Sequence, residues 1–298
     1  MAKRSEQFIN STLDVLSSLM PEDCLKGNYF GFIFSHFITA LCFLLVTPAH
    51  LWCLWVHFCT KRKIKVTQFF FLNNIIMELI FCMECGIELL SMVFVKNYMM
   101  WNVLYFFFGL SWVGRPLLQT CICIERYLAV LHPVTFLRYK GIKYRIAATV
   151  AAWLMASAYG VNLANAMIFP DYIYTFVFII ALSVVSFCCV SVLCALKHPG
   201  PGDTHISKRT GRDGGNQQKR NAFKTIFSAL LLILFTYLPQ TILIFFNGTG
   251  VDQILFVCSV VPFINSVNVF GVIITPLLKL YKESHQQCLK HQKEIKVT

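Results

Sequence analysis

Seven long apolar stretches separated by short polar segments do most to limit what this chain can become. About 20 apolar residues in a helix suffice to cross the ~30 Å hydrocarbon layer of a bilayer. Such stretches lie near 29–58, 67–95, 101–130, 146–168, 173–196, 222–246 and 252–279. Composition agrees: 57% of the 298 residues are hydrophobic and only 13% are charged, about half the charged share of a soluble domain. The expected fold is an all-α seven-transmembrane helix bundle at 29–280. It follows an extracellular segment, 1–28, and precedes a cytoplasmic tail, 281–298.

The basic residues orient the bundle. Lys61, Arg62, Lys63 and Lys65 follow the first span; Arg138, Lys140, Lys143 and Arg145 lie between the third and fourth. With those from Lys197 to Lys224 and from Lys279 onward, 20 basic residues fall on one side. The other side carries Lys3, Arg4, Lys26 and Lys96 against six acids. The positive-inside rule puts the N-terminus outside and the C-terminus in the cytoplasm. The net charge of +12 follows from this asymmetry and suits an anionic inner leaflet, so membrane lipid is the expected partner and nucleic acid is not. The two N-x-[ST] sequons, at Asn10 and Asn247, both fall outside, where glycosylation occurs.

The first 27 residues contain no apolar stretch resembling a cleavable signal, so the first span is expected to act as the signal anchor. The 13 cysteines lie nearly all within spans, where a small buried hydrophobe is the ordinary role; Cys24 is the one clearly extracellular cysteine. The cytoplasmic loop 197–221 is rich in Gly, Pro and charge and is expected to be mobile. The tail after span seven fits a short basic amphipathic helix on the inner leaflet. Its Cys288 is either a palmitoylation site or an unmodified thiol.

At the inner end of span three stands Glu125-Arg126-Tyr127, continuing through "LAVLHPV". Trp153 lies in span four, Pro239 in the "FTYLP" of span six and Pro276 in the "ITPLL" of span seven. In this arrangement the chain resembles the rhodopsin-like G-protein-coupled receptors, over all seven spans and the tail. The resemblance implies an extracellular ligand and a heterotrimeric G protein as partners, with no cofactor. It implies that Glu125 and Arg126 restrain the inactive state and that Arg126 faces the G protein once the sixth helix swings outward. Tyr127, Tyr237, Pro239 and Pro276 would share in coupling and switching.

The departures mark a divergent member. Trp101 stands where the family has a disulfide-forming cysteine, and Tyr237 where it has a tryptophan. Thr275-Pro276-Leu-Leu-Lys279 replaces Asn-Pro-x-x-Tyr, and His50 replaces an asparagine. Span five lacks its usual proline. Val269 lies about where retinal binding would need a lysine, and Phe108 where amine receptors carry an aspartate.

Four charges lie deep in the spans: Glu78, Glu84 and Glu88 in the second and Arg115 in the third. Each costs at least about 2.5–3.5 kcal/mol to insert, so each is expected to face the interior and find a partner. By the resemblance, Glu78 falls where the family carries a sodium-binding aspartate, and Arg115 at a neighbouring position that is normally small and polar. A buried Arg115–Glu78 pair, bidentate if the geometry allows, would replace the ion. The alternatives for Arg115 are Glu84 and the backbone carbonyls beside Pro116. Glu84 and Glu88 are four residues apart and share a helix face toward the outer half. They define either a ligand pocket with Phe108 and Tyr237, favouring cationic small molecules or peptides, or protonated carboxyls bonded between helices.

A receptor is therefore the leading function class. A constitutively active or decoy receptor is the alternative, and a transporter or channel using the buried charges comes behind it. The sequence has no metal-ligand spacing such as H-x-x-x-H, glycine-rich phosphate loop or nucleophile–base set, so an enzyme is not expected.

Overall fold

In the computed structural model, the described residues are 29–59, 69–93, 98–139, 141–166, 171–197, 212–246, 263 and 266–273. They contain helices and no strands. α1 (Tyr29–Leu41) runs through a π-helical segment, Cys42–Val46, into α2 (Thr47–Cys59). The flanking residues Leu41 and Thr47 keep right-handed helical dihedrals, so the rod is not interrupted. α3 (Phe69–Val93) and α4 (Tyr98–Leu131) are followed by a short α5 (Pro133–Tyr139), then α6 (Ile142–Ala166), α7 (Asp171–Lys197) and α8 (Arg212–Phe246). Residues 266–273 are helical.

Among the described residues, five segments have the length and hydropathy to cross a membrane: Ile33–Trp55, Phe69–Ser91, Met99–Leu131, Ile142–Asn165 and Ile173–Ala195. The apolar part of α8, Phe223–Pro239, is shorter. These segments coincide with the first six stretches read from the sequence; most of the seventh lies outside the described residues. Two boundaries need correction: α6 begins at Ile142, four residues before the stretch read from the sequence, and α8 begins earlier still relative to its own. Residues 212–221, assigned above to a mobile loop, are the first turns of α8. A helix can run on into water with its backbone bonds satisfied internally, and hydropathy marks only the part that meets lipid.

The chain divides into two compact units. One comprises Met1–Lys61, Cys82–Asn97 and Thr249–Thr298, and so holds α1, the π segment, α2 and the later part of α3. Within it the Phe43 ring lies against Gly86, where an added Cβ would come within 2.7 Å of the ring. Cys42 and His50 are buried, while Trp52 and Trp55 stack 5.0 Å apart on the exposed side.

The other unit, Arg62–Phe81 with Tyr98–Gly248, is organised around α4, which packs on α6, α7 and α8. Its core includes Met77, Leu110, Leu118, Tyr159, Val185 and Ile233. α4 and α6 meet backbone to backbone: a Cβ on Gly160 would lie 2.6 Å from the Phe106 carbonyl oxygen, and one on Gly109 only 2.9 Å from the Gly160 Cα. Small residues at such crossings are how membrane helices gain close packing, since lipid gives no hydrophobic drive between them.

Candidate functional site

Arg115 sits on α4 immediately before Pro116, which leaves the helix continuous through residue 131. Proline removes one ladder donor, and Thr120 Oγ1 donates to the Pro116 carbonyl at 2.7 Å. On α3, Asn74, Glu78 and Phe81 share one face by helical spacing. The structure brings the two charged residues together there: Arg115 Nε lies 3.1 Å from Glu78 Oε2, with side-chain exposures of 1% and 0%. The contact is an ion pair through the Arg115 Nε. The Arg115 guanidinium carbon also lies 4.5 Å from the centre of the Phe81 ring and 6.0 Å from that of Tyr237. One guanidinium thus joins α3, α4 and α8. In so dry a setting the attraction offsets desolvation only while both charges are present.

Of the proposed ligand-pocket residues, Phe108 and Tyr237 belong to this unit and are linked by a chain of rings. Phe108 lies 4.1 Å from Trp112, Trp112 lies 4.9 Å from Tyr174, and Tyr174 lies 6.4 Å from Tyr237. Trp112 and Tyr174, which the ring contacts place between the two, were not among the residues singled out in the sequence. Glu84 and Glu88 belong to the other unit; Glu84 is buried and Glu88 partly exposed.

Toward the C-terminal end of α4 the triplet divides its side chains. Glu125 is buried and accepts a hydrogen bond from Arg145 Nη2 at 2.7 Å, while Arg126 is exposed. Tyr127 Oη and His132 Nε2 lie 3.1 Å apart. The chain then turns in a fixed way: His132 N donates to Leu128 O, Phe136 N donates to His132 O, and Pro133 opens α5, where its missing N–H costs nothing. Phe136 lies over the far side of Arg145, 5.9 Å from its guanidinium carbon.

Arg145 is the residue that sequence reading missed, having counted it among the loop charges and paired Glu125 with Arg126. The signal was its place among apolar neighbours in "KYRIAATV": α6 begins at Ile142, so Arg145 already stands on a helix facing α4. Asn73 was missed too; its Oδ1 accepts from Trp153 Nε1 at 3.2 Å. Pro239 lies within α8, and His50 and Val269 are buried. Pro276, Asn10, Asn247 and Cys288 lie outside the described residues. Among the described residues no cluster of His, Cys, Asp and Glu could hold a metal ion.

No protein-family model matches the chain. It is 29% identical over 138 residues to the mouse (Mus musculus) chemerin-like receptor 2, covering 44% of this chain and 39% of that protein. It is 28% identical over 151 residues to the human (Homo sapiens) proteinase-activated receptor 3, covering 49% of this chain and 36% of that protein. The chain thus spans well under half the length of the curated relatives it matches. Its apolar helices and these similarities together describe a multi-pass membrane protein distantly similar to G-protein-coupled receptors, which are not enzymes.

Proposed function

We propose that the chain is a divergent rhodopsin-like G-protein-coupled receptor of the plasma membrane. It crosses the bilayer seven times with its N-terminus outside and couples an extracellular ligand to a heterotrimeric G protein. The observation that carries this reading is the inner end of α4, where Glu125 is held inside by Arg145 while the adjacent Arg126 is presented outward. Glu84 and Glu88 give a ligand site negative charge and favour a cationic small molecule or peptide. The Arg115–Glu78 pair fills the place of a bound sodium ion, making the receptor insensitive to sodium. Asn10 and Asn247 are glycosylation sites and Cys288 a palmitoylation site.

A second reading, constitutive activity, is favoured by the same geometry. With its carboxylate engaged by Arg145, Glu125 restrains Arg126 less. One experiment tests both readings: basal G-protein activation in cells expressing the chain, with and without Arg126→Ala. Agonist-independent activation that disappears in the variant is expected. Activation unchanged by the variant would remove the role of Arg126, and ion flux without activation would replace a receptor by a transporter or channel.

A further inference from the structure

The inner end of the α4 unit carries an exposed apolar surface beside the triplet. α5 and the start of α6 leave Val134, Leu137, Tyr139, Ile142 and Tyr144 exposed, Val134 at 81% and Leu137 at 65%. No residue of α5 is buried. So much apolar surface on a seven-residue helix does not suit a connector lying in water. Nor is the segment loosely placed. The backbone bonds around His132 fix its start, and the Tyr139 and Tyr144 rings meet edge to face at 5.0 Å across the turn into α6.

Two further observations say what covers it. Arg138 and Lys143 stand exposed among these apolar side chains, and no Asp or Glu occurs between Glu125 and Asp171. The apolar row also continues from Ile142 through Ile146, Val150 and Leu154 along the outer face of α6, each exposed and four residues from the last. On a membrane-crossing helix that face meets acyl chains. The surface is therefore continuous with lipid, is bordered by tyrosines of the kind that settle at headgroup level, and bears the charge that anionic headgroups attract.

We propose that α5 and the first turn of α6 form a docking surface for an anionic phospholipid of the inner leaflet. Val134 and Leu137 enter the acyl boundary, while Arg138 and Lys143 hold the charged headgroup. The proposal rests on the reading of α4 and α6 as membrane-crossing helices. It also has a consequence for the triplet. Phe136, on the same short helix, lies over Arg145, so lipid seated on α5 bears on the group that holds Glu125.

The test uses the full chain in bilayers containing photoreactive phosphatidylserine or photoreactive phosphatidylcholine, with crosslinked peptides located by mass spectrometry. Phosphatidylserine is expected to label residues 134–146 in preference to phosphatidylcholine. Arg138→Gln with Lys143→Gln should cut that preference by roughly 25-fold, from the usual contribution of two basic residues at an anionic surface. Arg138→Lys with Lys143→Arg should keep it. Equal labelling by the two lipids, or a preference that survives the double Gln variant, would overturn the proposal. Lipid labelling of Val150 and Leu154 with none on 134–146 would also overturn it and point to a protein partner on α5. Absence of label on α6 altogether would instead remove the membrane-crossing reading beneath it.

Discussion

Two arginines in dry surroundings, Arg115 beside Glu78 and Arg145 beside Glu125, set the chemistry of the α4 unit at the residue scale. Glu78→Ala removes the carboxylate beside a buried guanidinium, and the loss should be roughly 3–5 kcal/mol, read as reduced surface expression and a lower melting temperature. The exchange Glu78→Arg with Arg115→Glu should recover much of that expression; a double variant no better than either single one would dissolve the pair. Arg145→Gln should lower basal G-protein activation in the same cells, because the released Glu125 carboxylate can turn to Arg126. Rising activation would show that Arg145 is a restraint instead. The first pair was legible in the sequence because a charge deep in an apolar run must have a partner, and few carboxylates were within reach. The second was not, because a helix start placed four residues late left Arg145 in a loop.

At the scale of elements, hydropathy located the long helices and little else. α5 escaped it because seven residues between two spans carry no period to read, and the early turns of α8 escaped because they are polar. The π segment at Cys42–Val46 escaped because one widened turn leaves an apolar run just as apolar. The crossing of α4 and α6 yields the sharpest expectation. Gly160→Leu should cost about 1–3 kcal/mol, the usual range for overpacking, since the obstruction is the Phe106 carbonyl and not a side chain that can turn aside. Gly141→Ala, whose nearest neighbour would be 3.7 Å away, is the control and should melt with the parent protein in detergent.

For the whole molecule, the orientation proposed from the basic residues makes a simple demand: Asn10 and residue 1 lie outside. An N-terminal epitope should be stained on intact cells, and peptide-N-glycosidase should increase the mobility of the parent chain but not of an Asn10→Gln, Asn247→Gln variant. Staining only after permeabilisation would invert the topology. The backbone contact at Gly109 and Gly160 has a mechanical consequence. Helices touching without side chains between them cannot slide or tilt apart by changing rotamers, and the Glu125–Arg145 bond fastens the same two helices again where α4 nears its end and α6 begins. α4 and α6 therefore behave as a stator. On the receptor reading proposed above, a signal crossing this unit is carried by the elements that turn against that stator, and α8, tied to it through Arg115 and Tyr237 and lacking one ladder donor at Pro239, is the proposed rotor.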